Sequence, residues 1–303
     1  MRFAIRTGYR PRPVTWCDRA LAFLDGDDPG TQLSKVRAFE WIFVFIVCAE
    51  YWARAALKSN DLGLDYWVSL PLISVLGVAA LSARWGRLAF VGLAIAQTVR
   101  IWNEFPATGN HSYLELLLCL LCAALNVRDR EERKLFLRAV RWMTCVVFFY
   151  AGVQKLVHGY YFRGQLLLYS MGIETFRPVL QLLLPHADFV RLSHYHFQAG
   201  DGPFLVSSPL IVVLSNATYI IEIALAVLLL LRRTRRLAVI GAIVFLVGIE
   251  AAAREFFFGL IYVNMLLVFL ERDVNRRLIG VFGAVLVCLL LVRLKVLPEL
   301  IFH

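Results

Sequence analysis

The chain has 303 residues, 60% hydrophobic and only 18% charged, with a mean hydropathy of +0.68 and a formal net charge of +10. Soluble domains run about 45–50% apolar and about 25% charged, so disorder, coiled coil and collagen are excluded, and a core of this size cannot hide so much apolar surface from water. The excess of 32 Lys+Arg over 22 Asp+Glu is not interleaved with aromatic residues on a soluble module, so no nucleic acid is expected as a partner; the lipid bilayer is.

Residues 1–36 read as a cytosolic basic arm. Arg2, Arg6, Arg10 and Arg12 are interrupted by Pro11 and Pro13, and the absence of a following apolar run argues against a cleavable signal. Residues 15–24 fit an interfacial helix and residues 25–30 a turn-rich linker. Residues 37–297 read as one transmembrane domain, because a spanning helix needs about 20 mostly apolar residues. Spans are expected near 37–57, 67–83, 87–103, 112–127, 140–157, 208–231, 236–252, 255–270 and 277–297, seven to nine in all, followed by a short tail at 298–303. Barrel strands would instead alternate over about ten residues. The expected fold class is all-α, a polytopic integral membrane helical bundle.

Charge gives an independent reading of sidedness. With nine spans and a cytoplasmic N-terminus, 22 of the 32 Lys+Arg fall on the inner side, and the bias alternates at every loop. Since Lys/Arg bias sets orientation, the expected location is the cell inner membrane, multi-pass, N-terminus inside. Residues 156–209 are too polar to span and too apolar for a free linker. They are expected to form short amphipathic or re-entrant helices over the outer face.

Polar residues within the apolar runs are candidates for function, because their burial in lipid is costly. They are Glu50, Gln97, Lys155, Asn216, Glu222, Glu250, Arg254 and Glu255. Glu50 with Arg54 and Glu250 with Arg254 have i,i+4 spacing and read equally well as structural pairs on one helix face. Glu222 is more isolated and suits either an interhelix tie or a ligand contact. Cys119 and Cys122 have CxxC spacing but lie inside a span, where thiols pack as small hydrophobes. His186, His194 and His196 read as interfacial rather than as a metal site, which needs three or four ligands. Arg232, Arg233, Arg235 and Arg236 read as a topology-setting loop, with anionic head groups as the alternative partner.

Two outer-face segments stand out: Asn110, His111, Ser112, Tyr113 and Leu114 opening the fourth span, and residues 148–156, with Gln154 and Lys155, closing the fifth. A lysine at an apolar helix end can lose its proton by desolvation and act as a base, or can simply snorkel to water. A histidine and an asparagine at similar depth could hydrogen-bond an oxyanion formed by that base.

These segments resemble a known family. Ala-Gly-Val-Gln-Lys-Leu at 151–156, followed by Tyr-Phe-Arg-Gly at 161–164, is similar to the AGxxKL…WxxG segment of the vitamin K-dependent γ-carboxylases and of their bacterial relatives, the horizontally transferred transmembrane (HTTM) proteins. Asn110–Leu114 resembles their NHSYL segment, 214–231 with Glu222 their following span, and 256–267 with Gly259 their Phe/Gly span. The resemblance implies a catalytic base at Lys155, assisted by His111, with Asn110, Tyr113, Gln154, Glu222 and Glu250 around the substrate or cofactor. It also implies reduced vitamin K or menaquinol as the cofactor and a secreted peptide as a partner. Three features depart from the pattern: Gln154 replaces a lysine, Tyr161 replaces the tryptophan, and Glu250 is the nearest polar residue where the family has histidine and asparagine. The resemblance also stops short of the carboxylases' lumenal domain. The expectation is therefore a quinol-oxidising core rather than a peptide-glutamate carboxylase; the alternative is a non-catalytic accessory or lipid/peptide-binding protein in secreted-peptide maturation.

Overall fold

The computed structural model describes residues 28–57, 64–106, 109–159, 161–170, 176–195, 208–253 and 256–270, together with Phe204 and scattered positions between 280 and 291. Among them the regular structure is helical, with no strand: α1 (Pro29–Leu57), α2 (Leu64–Ala80), α3 (Gly86–Glu104), α4 (Asn110–Ala124), α5 (Arg130–His158), α6 (Gln165–Tyr169), α7 (Arg177–Leu183), α8 (His186–Ser193), α9 (Pro209–Leu230), α10 (Arg235–Ala253) and α11 (Phe256–Leu267). The all-α expectation holds. The residue 15–24 helix and most of the 277–297 span lie outside the described residues.

Helix ends follow local chemistry. α1 begins eight residues before the expected span, inside the stretch read as arm and linker, because Asp28 caps it. The Asp28 Oδ2 accepts from the N–H of Gly30 at 3.0 Å and of Thr31 at 3.2 Å, and Pro29 supplies a preset φ where no N–H is required. The Thr31 hydroxyl, then its backbone N–H, holds the Asp28 carboxyl below the usual range. Asp129 caps α5 in the same way, its Oδ1 accepting from the N–H of Glu131 and Glu132. At the other end, Gly159 closes α5 at φ 69°, donating its N–H to the Lys155 carbonyl; the left-handed conformation suits glycine.

α5 runs antiparallel to α9 in the most extensive helix pairing among the described residues. Gly152 makes the approach close: a Cβ there would lie 2.6 Å from Ile223 Cγ1 and 2.9 Å from the Tyr219 carbonyl oxygen. α1 packs on α11, where buried Asn264 donates to the Phe39 carbonyl at 3.1 Å. Phe39, Phe43, Phe90 and Phe136 join α1, α3 and α5 in the core. Three arginines bond the carbonyl ends of helices. Arg87 donates to the carbonyls of Ala123 and Ala124 at the end of α4, Arg141 to Val268 just past α11, and Arg235 to Leu229 near the end of α9.

Between α5 and α9, the expected short helices are present as α6, α7 and α8. Leu168, Leu180, Leu184, Leu192 and Ile211 give them a small core of their own. α5 and α9 are long and apolar enough to cross a membrane, whereas the apolar stretches of α2, α4 and α11 are shorter. Large apolar side chains also face outward on several helices, among them Val75 (65% exposed), Val78 (75%), Leu237 (71%) and Val244 (67%).

Candidate functional site

Lys155 lies one turn before the end of α5, on the chain's antiparallel partner side to α9. Its Nζ donates to both carboxylate oxygens of Glu222, at 2.6 and 2.8 Å. The carboxylate is buried and the lysine side chain remains 23% exposed. Gly152 sets this geometry: by bringing the α5 backbone onto Tyr219 and Ile223, it places the lysine one turn later opposite the carboxylate. The chain then doubles back, so that the ring of Tyr161 lies 5.7 Å from Nζ. Burial, then the Glu222 charge, pushes the Tyr161 phenol up to about 12. Asn216 fixes the turn by donating to the Phe162 carbonyl at 3.1 Å, and accepts from the Tyr219 hydroxyl at 2.8 Å. Gly164, at φ 71°, sits against Ile211. The Gly, Lys, Tyr and Gly of the 151–164 motif thus all serve one construction.

His111 belongs to a different group. Its Nε2 lies 3.2 Å from Glu50 Oε1, and its ring covers Gly109, where a Cβ would come within 2.7 Å of the imidazole. Glu50 also receives Arg54 at 2.7 Å and Arg100 at 3.2 Å. Arg100 holds Glu115 at 2.7 Å and Ser112 at 2.8 Å, and Arg54 reaches Glu104 at 2.9 Å. The result is a buried network across α1, α3 and α4, with three carboxylates against two guanidinium groups. Two guanidiniums leave one carboxylate charge unmatched by arginine, and the His111 imidazole lies against Glu50. Several of its atoms have no hydrogen-bond partner among the described residues, including Glu50 Oε2, Glu115 Oε1, the Tyr51 hydroxyl and both polar atoms of nearby Gln97.

The structure therefore joins Lys155 to Glu222 and the expected i,i+4 partners Glu50 and Arg54, but no hydrogen bond or ion pair joins His111 to Lys155. Gln154 and Tyr113 are exposed. Asn110 is the first residue of α4. Glu250 lies against Gly259, where a Cβ would meet its Cγ at 2.7 Å; its partner by spacing, Arg254, lies outside the described residues. Cys119 and Cys122 are buried and unbridged. Sequence reasoning missed Arg100, Glu104 and Glu115. The signal available was their charge within or beside apolar runs.

Beside this network a groove of about 520 Å³ opens between α1, α2 and α3. Leu72, Ile73, Ile95 and Val99 wall it, and Tyr51, Arg54, Arg100 and Glu104 form its polar end. That lining suits an amphiphile with an apolar tail and an oxygen-bearing head. Comparison with known families, characterised proteins and solved structures finds no match to this chain.

Proposed function

We propose that the chain is a polytopic inner-membrane protein of the HTTM and γ-carboxylase kind, acting as a quinol-oxidising enzyme at the outer ends of α5 and α9. The membrane part of this reading is supported by the two long apolar helices and by the outward-facing valines and leucines, since a water-soluble monomer rarely exposes large apolar patches. The Lys/Arg alternation supports a cytoplasmic N-terminus.

The observation that carries the chemistry is the amine of Lys155 bonded by both oxygens of Glu222. A buried carboxylate behind a partly exposed amine makes a two-step proton acceptor. Lys155 passes a proton to Glu222 and takes another from a hydroxyl presented at its exposed side, and the pair then carries one additional positive charge. The Tyr161 ring shields the amine and favours the cationic state that results. A reduced vitamin K or menaquinol would supply the ionisable hydroxyl and the reducing electrons, and dioxygen, which the resemblance implies as the co-substrate, would accept them. In this reading His111, held by Glu50, is a positioning residue of the second group, and a secreted peptide is the acceptor-side partner implied by the resemblance.

The test is quinol turnover by the purified protein in nanodiscs. Wild type should oxidise reduced vitamin K or menaquinol, and Lys155→Ala should lower the rate at least about a hundredfold, the ordinary reach of general base catalysis. Equal turnover in both would reject the assignment. A second reading rests on the mutual satisfaction of Lys155 and Glu222, which would equally serve a non-catalytic accessory protein as an interhelix tie. Lys155→Arg separates the two, since a tie tolerates arginine and a proton-accepting amine does not.

A further inference from the structure

A second polar cavity lies at the other end of α5 from Lys155, about 38 Å away by helical rise. It encloses about 530 Å³ between the start of α1, the α2–α3 turn and the α4–α5 turn. Arg37, Arg84, Arg87, Arg128 and Glu40 line it, over a floor that includes Phe90 and Cys122. Arg87 is already committed to the carbonyl end of α4. Arg84 stacks over Trp85, its guanidinium carbon 5.3 Å from the ring centroid. Among the described residues, the guanidinium groups of Arg37, Arg84 and Arg128 have no hydrogen-bond or ion-pair partner, and neither has the Glu40 carboxyl. The cavity therefore gathers three guanidinium groups whose N–H donors are not taken up by the protein's described residues, with the Glu40 carboxyl in the electrostatic reach of Arg128 and Arg37.

We infer that this cavity binds the headgroup of an aminophospholipid: the phosphate on Arg37, Arg84 and Arg128, and the primary amine on Glu40. Guanidinium groups match phosphate oxygens in geometry and charge. A purely anionic headgroup would satisfy the arginines but face Glu40 with like charge. A headgroup carrying phosphate and amine a few bonds apart satisfies both. Trp41 borders the cavity and is 58% exposed, as suits an aromatic side chain at headgroup depth. The arginine-rich end is also the one that the Lys/Arg alternation assigns to the inner leaflet. The inference rests on the membrane placement proposed above, but not on the chemistry at Lys155.

The experiment uses the full chain, delipidated in dodecyl maltoside, and measures binding of short-chain phosphatidylethanolamine, phosphatidylglycerol and phosphatidylcholine by native mass spectrometry. Phosphatidylethanolamine should bind about tenfold more tightly than the other two, a difference of about 1.4 kcal/mol. Arg37→Gln with Arg128→Gln should weaken phosphatidylethanolamine at least about tenfold. Glu40→Gln should erase its advantage over phosphatidylglycerol while leaving phosphatidylglycerol bound. Wild-type binding that does not distinguish the three lipids overturns the proposal without any variant, and so does a preference that survives Glu40→Gln. Soluble glycerophosphoethanolamine that competes at equal concentration would assign the site to a soluble phosphoester and overturn the lipid assignment. Quinol turnover, measured separately on the same preparations, shows whether the Lys155 chemistry stands or falls independently.

Discussion

The molecule handles buried charge in two ways. Lys155 and Glu222 form a closed couple, one cation and one carboxylate contributed by two helices that a glycine brings close together. The Glu50–Arg100–Glu115 group is open: Glu50 and Arg100 each have several partners, the carboxylates outnumber the guanidiniums, and His111 leans on it from the side. A closed couple can change its protonation without pulling on the rest of the protein. An open network cannot, because Glu50 and Arg100 tie three helices together. This difference makes the first suited to handling protons and the second to holding helices in register.

Breaking the open network should have the largest effect. Arg100→Met strands Glu115 and takes one of three partners from Glu50, and loss of one partner from a buried ionic group costs about 3–5 kcal/mol. Thermal unfolding in detergent should fall sharply, and a second change, Glu115→Gln, should recover part of the loss. Failure of Glu115→Gln to recover any of it would show that Arg100 acts through something other than charge.

In the closed couple the same operation should cost less, because the lysine side is partly exposed. Lys155→Met should destabilise by about 1–3 kcal/mol, the usual penalty for an orphaned buried polar group, and Lys155→Met with Glu222→Leu should return close to wild-type stability. Non-additivity in that double-mutant cycle measures the coupling of the pair. If the paired replacement is worse than Lys155→Met alone, the two side chains are not a self-contained unit.

Gly152→Ala tests what brings the couple together. The new methyl would press on the Tyr219 carbonyl and Ile223, and overpacking of this kind costs about 1–3 kcal/mol. Because the methyl separates α5 from α9, it should also reduce the Lys155–Glu222 coupling in the cycle above, while a methyl that altered stability alone would leave that coupling intact.

The smallest effect belongs to a cap outside both groups. The backbone N–H of Glu132, then of Glu131, holds the Asp129 carboxyl below its ordinary value of 3.8. Its stabilisation is present above that ordinary value and is lost as pH falls through the lowered one. Helicity measured by circular dichroism should therefore show a small acid-side loss in wild type that Asp129→Ala removes.

Much of the architecture was legible because it is written in local terms. Hydrophobic runs located α2, α3, α4, α9, α10 and α11 to within a few residues of the expected spans, since lipid or core burial requires continuous apolarity. The Glu50–Arg54 pair followed from i,i+4 spacing, and Lys155 and Glu222 were each visible as charge within apolar sequence. Their pairing was not, because 67 residues separate them and no periodicity spans a loop. Arg100 and Glu115 were overlooked for the same reason: each looks like a helix-end charge until α3 and α4 fold side by side. The early start of α1 was readable from Asp28-Pro29, an N-cap followed by a first-turn proline, but linker composition masked it.

The arginines at the carbonyl ends of α4, α9 and α11 have a consequence for assembly. Arg87, Arg141 and Arg235 belong to the positive clusters that, under the proposed topology, keep those ends in the cytoplasm, and the same side chains stitch shut the exposed carbonyls of neighbouring helices. An inverted helix would carry its carbonyls to one leaflet while the stitching guanidinium stayed at the other. Under that topology, the side chains that set sidedness are the same ones that seal the helix ends, so an inverted helix would lose both at once.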